Sequence, residues 1–395
     1  MSELMNIPNL RFPDFSDDWQ VSKLGDVTSK IGSGSTPRGG EEVYTSDGIL
    51  FIRSQNVKRN ILDLTDSTFI PEEVHFQMSG SEVKSNDVLL NITGASIGRS
   101  CVVPSSVITG NVNQHVCIVR TGRHLEPNFL QPFLASRRGQ KLIYQGQTGS
   151  GREGLNFQSI RSFKLSLPTK PEQQKIAAFL TAVDNKIEQL SKKQALLGEY
   201  KKGLTQQIFS QAIRFKADDG SDFPDWKEKK LGGVGRIRKG SQLNKSELTD
   251  TGDYPAINGG INPSGYTDKW NTGKNTITIS EGGNSCGYIN FITSKFWSGG
   301  HCYSIEELKG DVLNRFLFQY LKFNEHLIMR LRVGSGLPNI QKGEINNFKV
   351  NLPSLEEQTK IANFLSLIDT KIEQVGKQLR ESKQFKKALL QQMFV

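Results

Sequence analysis

At 395 residues the chain is long for one hydrophobic core and suits two domains of ordinary size with connecting elements. Hydrophobic content of 36% and mean hydropathy of −0.43, with no apolar run near the roughly 20 residues a membrane helix needs and no basic-then-apolar leader in MSELMNIPNLRFPDF, predict a cytoplasmic protein without membrane or secretory segments. A net charge of +10 points toward a polyanionic partner, since clustered Lys and Arg release counterions from nucleic acid, although a generally basic surface has the same composition.

In chain order, the first motif is FPDFSDDWQVSKLGDV (residues 12–27), followed by a Gly/Ser-rich loop, SKIGSGSTPRGG (29–40). GILFIRSQNV (48–57), DVLLNITG (87–94) and HVCIVRTG (115–122) read as strands, and PNFLQPFLASRRGQKLIYQ (127–145) as helix. TGSGREGLNFQSIRSFKLSLP (148–168) closes this half, and EQQKIAAFLTAVDNKIEQL (172–190) begins a long helix. The order then recurs. FPDWKEKKLGGV (223–234) shares Asp-Trp-x-x-x-Lys-Leu-Gly with residues 18–25, and RIRKGSQLNKSE (236–247) supplies the loop. NTITISEGG (275–283) and GYINFIT (287–293) read as strands and DVLNRFLFQYLKFNEHLIMRL (311–331) as helix. VGSGLPNIQKGEINNFKVNLP (333–353) and EQTKIANFLSLIDTKIEQV (357–375) complete the second half. Residues 164–210 match 349–395 without a gap, roughly half of them identically, so the chain is an internal repeat.

Each long helix carries a four-three seam. The first runs through Ile176, Leu180, Val183, Ile187, Leu190, Gln194, Leu197, Lys201, Leu204 and Ile208; the second through Ile361, Leu365, Ile368, Ile372, Val375, Leu379, Ser382, Lys386, Leu389 and Met393. About 40 residues at 1.5 Å each make rods of roughly 60 Å. Gln194, Lys201, Ser382 and Lys386 weaken the seams, and Leu196, Tyr200 and Phe385 offer an alternative register there.

Catalytic motifs do not survive inspection. NTGKNT (271–276) lacks the upstream glycine and following hydroxyl residue of a phosphate loop. Asp225, Glu228 and Lys230 imitate a metal-nuclease set, but too few residues separate the acids for the usual strand, and the other half has Gln20 and Ser22 there. His115-x-Cys117 and His301-Cys302 give only two ligand types per half where a closed zinc site needs four, so the metal expectation is none. Cys101, Cys117, Cys286 and Cys302 lack CxxC spacing and read as reduced, buried thiols.

The remaining candidates are loops rich in Gly, hydroxyl, amide and basic residues, whose N–H and hydroxyl groups suit phosphates and whose Arg, Asn and Gln suit base edges. In the first half these are Lys30, Ser33, Ser35, Thr36, Arg38, Arg53, Ser54, Gln55, Asn56, Ser96, Arg99 and Arg152; in the second, Arg236, Arg238, Lys239, Ser241, Gln242, Asn244, Lys245, Asn284, Ser285 and Ser335.

The Asp-Trp-x-x-x-Lys-Leu-Gly openings, the FKLSLP and FKVNLP closings and the twin helices together resemble the DNA specificity subunits of type I restriction-modification systems, over essentially the whole chain. The resemblance implies an α+β fold: target-recognition domain 1 (1–168), a central helix (169–210), target-recognition domain 2 (211–353) and a C-terminal helix (354–395), the helices forming an antiparallel coiled coil about a pseudo-twofold axis. It further implies a non-catalytic subunit that binds a split double-stranded DNA target, docks two methyltransferase subunits and is joined by restriction and translocation subunits. No cofactor belongs to this chain on that reading; S-adenosylmethionine, ATP and Mg belong to the partners. If the rods set the distance between half-sites, an insertion after Ser210 should lengthen the gap. A stand-alone DNA-modifying enzyme and a coiled-coil adaptor that binds no DNA stay open as alternatives.

Overall fold

The opening and closing motifs of each half find one another. Gln20–Lys23 pairs antiparallel with Lys164–Leu167, and Lys227–Lys230 pairs with Lys349–Leu352 in the matching register. The computed structural model describes residues 7–148, 154–334 and 336–395. Its contacts divide the chain into two units: unit 1, Met1–Lys192 with Gly376–Val395, and unit 2, Lys193–Val375.

Unit 1 carries two four-stranded sheets. One is antiparallel, in the order Thr28–Ser33, Val116–Thr121, Val88–Asn91, Ser100–Val102. The other runs Thr68–Ile70, Ile49–Ile52, Thr109–Val112, Glu82–Lys84, with its central pair parallel. Val88–Asn91 is buried throughout, which explains its unbroken apolar run VLL. One core joins Val88, Leu90 and Val119 to Phe129 and Phe133 of the helical layer; a second lies under Ile52, Leu89 and Ile118 on the other face.

Unit 2 repeats the plan in reduced form. Its antiparallel sheet runs Arg236–Lys239, Cys302–Glu306, Thr276–Ser280, Ile289–Ile292; its second sheet runs Gly265–Thr267, Tyr254–Ile257, Trp297–Ser298, again with one parallel pair. Unit 1 adds a fourth strand there, Glu82–Lys84, preceded by a short helix, Glu72–Gln77.

The helical stretches read as single runs are each broken. Residues 127–145 form Pro127–Ala135 and Arg137–Gln145, because Ser136 leaves the helical conformation and its Oγ accepts the Gly139 N–H as an N-cap. Residues 311–331 yield Asn314–Phe323 and Glu325–Met329, parted at Asn324, whose side chain bonds back to Tyr320 O.

The long helices are Lys170–Phe209 and Leu355–Gln392. In unit 1, Ile176 and Leu180 share a core with Leu389 and Met393, and Asp184 pairs with Lys386, so the two helical segments there run in opposite directions. In unit 2, Ile208 shares a core with Ile361 and Leu365, and Lys201 pairs with Asp369. Every seam position is buried or half-buried, including Val183, Ile187, Leu190, Ile368, Ile372 and Val375. The alternative register does not form: Leu196, Tyr200 and Phe385 are exposed. The physical reason is that the seam lysines lay their methylene stems along the interface and end on an aspartate.

Candidate nucleic-acid interface

In unit 1 five loops meet at one end of the two sheets. Gly34 N–H donates to Asn113 O, Asn113 N–H to Ile52 O, Ile92 N–H to His115 O, and Leu155 N–H to Ile92 O. Asn91, fully buried, donates its Nδ2 to Ser54 O (2.9 Å) and Ser96 Oγ (3.1 Å), tying two candidate loops together. Thr36 Oγ1 donates to Gln114 Oε1, and Thr93 Oγ1 meets His115 Nδ1. Unit 2 repeats the convergence. Gly240 N–H donates to Cys302 O, Ser241 N–H to Ser298 O, Gly299 N–H to Ile257 O, Glu281 N–H to His301 O and Ile340 N–H to Glu281 O. Ser285 Oγ donates to Gly259 O at 2.7 Å.

Two glycines make these clusters sterically possible. A Cβ on Gly34 would lie 1.6 Å from Val112 O, and one on Gly240 would lie 2.2 Å from Gly299 O. Both occupy the first position after the first strand of the antiparallel sheet, where the loop must cross a neighbouring backbone.

The candidate side chains separate into distinct groups. Ser35, Arg38, Arg99, Asn244, Lys245 and Asn284 are exposed and make no side-chain hydrogen bond among the described residues. Thr36, Gln55, Lys239, Ser241 and Gln242 are exposed within the clusters; Gln55 donates to Asp66 and Lys239 to Glu281. Arg53 lies half-buried over the Tyr44 ring, 5.8 Å from its centroid and 3.9 Å from Asp66, which anchors its guanidinium beside the loop. Ser33, Ser54, Ser96 and Ser285 are half-buried and mostly shape the backbone.

Four candidates face other tasks. Asn56, 3% exposed, accepts Arg53 N–H and donates to Asp63 O and Asp66 O, stapling its own loop. Lys30 points its Nζ at Glu82 O, and burial together with the neighbouring Arg120 lowers its pKa. Arg236 pairs in register with Glu306 at the opposite end of its strand from Lys239, and Arg238 reaches Asn271 O and Glu306. Arg152 and Ser335 lie outside the described residues.

The sequence reading missed Asn91, Gln114 and the Glu281 cluster. Glu281, 7% exposed, accepts from Lys239 Nζ and Tyr303 OH and lies 3.4 Å from His301 Nδ1. Burial and the Glu281 carboxylate raise the Tyr303 pKa. Unit 1 replaces this charged knot with Ile92, Ser33 and Cys117 in equivalent register. The signal was present: Asn91 ends, and Glu281 follows, a strand buried along its whole length.

Among the described residues no group of three or more His, Cys, Asp or Glu side chains is arranged to hold a metal ion. The four thiols are buried, and desolvation pushes Cys101 and Cys117 up to about 12 and Cys302 up to about 11. They are packing residues and poor nucleophiles.

The model of the type I restriction modification DNA specificity domain matches residues 16–197 and again 224–381. The chain belongs to that family. Each of the two specificity-domain matches contains one Asp-Trp-x-x-x-Lys-Leu-Gly opening and one loop cluster. The putative type I restriction enzyme MjaX specificity subunit of Methanocaldococcus jannaschii is 24% identical over 409 residues, covering 98% of this chain and 95% of that relative. A putative type I specificity subunit of Mycoplasma pneumoniae is 31% identical over 172 residues, 43% of this chain and 46% of the relative. Among solved structures, the type I restriction-modification S subunit from M. genitalium aligns with a TM-score of 0.67 at 18% identity, covering 98% of this chain and 99% of that one. No helix of the described residues is long and apolar enough to cross a membrane.

Proposed function

We propose that this chain is the recognition subunit of a type I restriction-modification complex, reading a bipartite double-stranded DNA target with one loop cluster per unit. The observation that carries this reading is the repetition of one loop-bearing frame with different polar side chains at its tip. A shared frame presents each cluster to DNA in the same way, while Arg53, Gln55 and Arg99 in one and Gln242, Asn244 and Asn284 in the other give the two half-sites different chemistry. Exposed Arg38 and Lys245 supply phosphate contacts that fix register without reading sequence.

On this reading residues 1–168 and 211–353 are the recognition domains, and helices 169–210 and 354–395 pair along their seams as an antiparallel coiled coil. Half-sites one helical turn apart on DNA are roughly 34–36 Å from each other, a span that helices of this length hold without a flexible linker. The chain contributes recognition and scaffolding. Methyl transfer from S-adenosylmethionine belongs to two methyltransferase subunits, and ATP- and Mg-dependent translocation and cleavage belong to restriction subunits.

The test is methylome sequencing of cells carrying the full complex. A split motif is expected, and exchanging residues 29–147 for those of another family member should change one half of it. A continuous motif, or a change in both halves, would overturn the reading. The site for testing the ruler moves from its sequence-based position. Ile208 and Phe209 are buried in unit 2, and Arg214 binds Glu357 there, so an insertion after Ser210 would disturb unit 2 internally. Matched insertions between Lys192 and Lys193 and between Val375 and Gly376, where both helices pass from one unit to the other, test the spacing instead.

A further inference from the structure

Each long helix begins on a fully buried carboxylate. Glu172 and Glu357 occupy the first turns, and both are 0% exposed. Arg11 donates Nε and Nη2 to the two oxygens of Glu172 at 2.7 and 2.8 Å, and Trp19 Nε1 adds a third bond at 3.3 Å. In unit 2, Arg214 donates the same two nitrogens to Glu357 at 3.1 and 2.8 Å, and Trp226 Nε1 donates at 3.2 Å. The arginines are separated from their glutamates by 161 and 143 residues respectively, so the geometry is retained although the chain between its parts differs in length.

The following residue repeats too. Gln173 accepts Glu126 N–H and donates to His124 O and Pro168 O; Gln358 accepts Leu313 N–H and donates to Asp311 O and Pro353 O. Arg11 also donates to Asp17 O, and Arg214 to Pro224 O. Each first turn is therefore fastened to the opening motif, to the closing motif and to the segment leading into the domain's helical layer.

Apolar contacts at Ile176 and Leu180, or Ile361 and Leu365, hold the helix against its domain but are non-directional. A planar fork on a carboxylate fixes direction. Direction matters because a tilt of about 5° over roughly 30 Å of helix moves its far end by about 2.6 Å, approaching the 3.4 Å rise of one base pair.

We infer that Glu172 with Arg11, and Glu357 with Arg214, are positioning residues for spacer selectivity: they set the angle at which each long helix leaves its recognition domain, and so the number of base pairs accepted between half-sites. This rests on the bipartite reading above. The residues touch no base, so half-site sequence is independent of them.

The experiment uses the full complex in cells, with the methylome as readout and Arg11→Lys combined with Arg214→Lys as the variant. Lysine keeps the charge and removes the fork. Both half-sites should be retained while sites with a spacer one base pair shorter or longer gain methylation roughly tenfold, the ratio one lost charge-assisted hydrogen bond is worth. Lys175→Gln removes an exposed ion pair to Asp14 at the same joint and should leave the spacer profile as in wild type. Unchanged spacer preference in an active double variant would overturn the inference and leave the bipartite reading standing; a wild-type motif that is not split would overturn both. Should the double variant fail to accumulate, Glu172→Asp, which shortens the reach and keeps the ion pair, is read by the same criteria. Loss of all methylation in a variant melting at the wild-type temperature would overturn the inference as well, because the clamp would then serve DNA binding itself.

Discussion

Replacing Gly34 by alanine inserts one methyl group where Val112 O already stands 1.6 Å from the Cβ position, with Val112 C at 2.7 Å and Ser81 Cβ at 2.8 Å. Contacts below about 3 Å are not tolerated, so the loop and the strand beneath it must part by roughly 1.4 Å. The obstacle is backbone within a four-stranded sheet and has no rotamer by which to withdraw. The cost belongs at the upper end of overpacking, about 3 kcal/mol, which for a unit of this size lowers Tm by roughly 6–12 °C. Gly32 is the control. It lies two residues earlier, within the preceding strand, with nothing within 4 Å of its Cβ position, and Gly32→Ala should be neutral or stabilising by about 0.5 kcal/mol. The two variants are compared by thermal melting and by anisotropy titration with duplexes in which one half-site at a time is altered. Gly34→Ala displaces Ser35, Thr36 and Arg38, so it should lose discrimination at the half-site of unit 1 alone. Melting and discrimination equal to wild type would refute the close approach on which the loop cluster is built.

Glu357→Gln leaves Arg214 paired with a neutral acceptor at a fully buried position and should destabilise unit 2 by about 3 kcal/mol in urea titrations. Arg38→Ala and Lys245→Ala should each weaken DNA binding across sequences and reduce the slope of log K against log salt by about 1, as measured by titration at several salt concentrations. Because burial raises their pKa values, none of the four thiols should react with a disulfide reagent at pH 8 in the native chain, and all four should react after unfolding in denaturant.

Much of the architecture was legible because it is written in periodicity and in duplication. The seam positions announce themselves by spacing, and the strands by an apolar run such as VLL or a β-branched run such as TITI. The helix breaks at Ser136 and Asn324 were hidden because a single polar residue inside an apolar pattern reads equally well as a surface position. Seam lysines looked like weak points because their aspartate partners lie about 170 to 200 residues away, at Asp369 and Asp184. The candidate loops were found by composition, but composition says nothing about direction: Asn56 staples its own loop while Asn284, of the same type, faces outward. Glu172 and Glu357 sat inside the motif that revealed the repeat, yet nothing local tells a buried glutamate from a solvated one in a helix's first turn.

The division of the helices has a further consequence for biosynthesis. Unit 2 is one continuous stretch, Lys193–Val375, inserted within unit 1. Phe394 packs at steep ring angles against Phe129 and Phe133, at ring separations of 5.3 and 6.0 Å, and Met393 and Leu389 fill the same core. At ribosomal rates of about 5–20 residues per second, some 200 residues separate translation of the first long helix from delivery of this plug, an interval of roughly 10–40 s. Unit 2 also waits, for Ile361 and Leu365 of the second long helix, so both units close late and unit 1 meanwhile keeps an aromatic face open to solvent. The nascent first unit is thus a natural client for chaperones, and its closure reports that everything nested between its parts has been made.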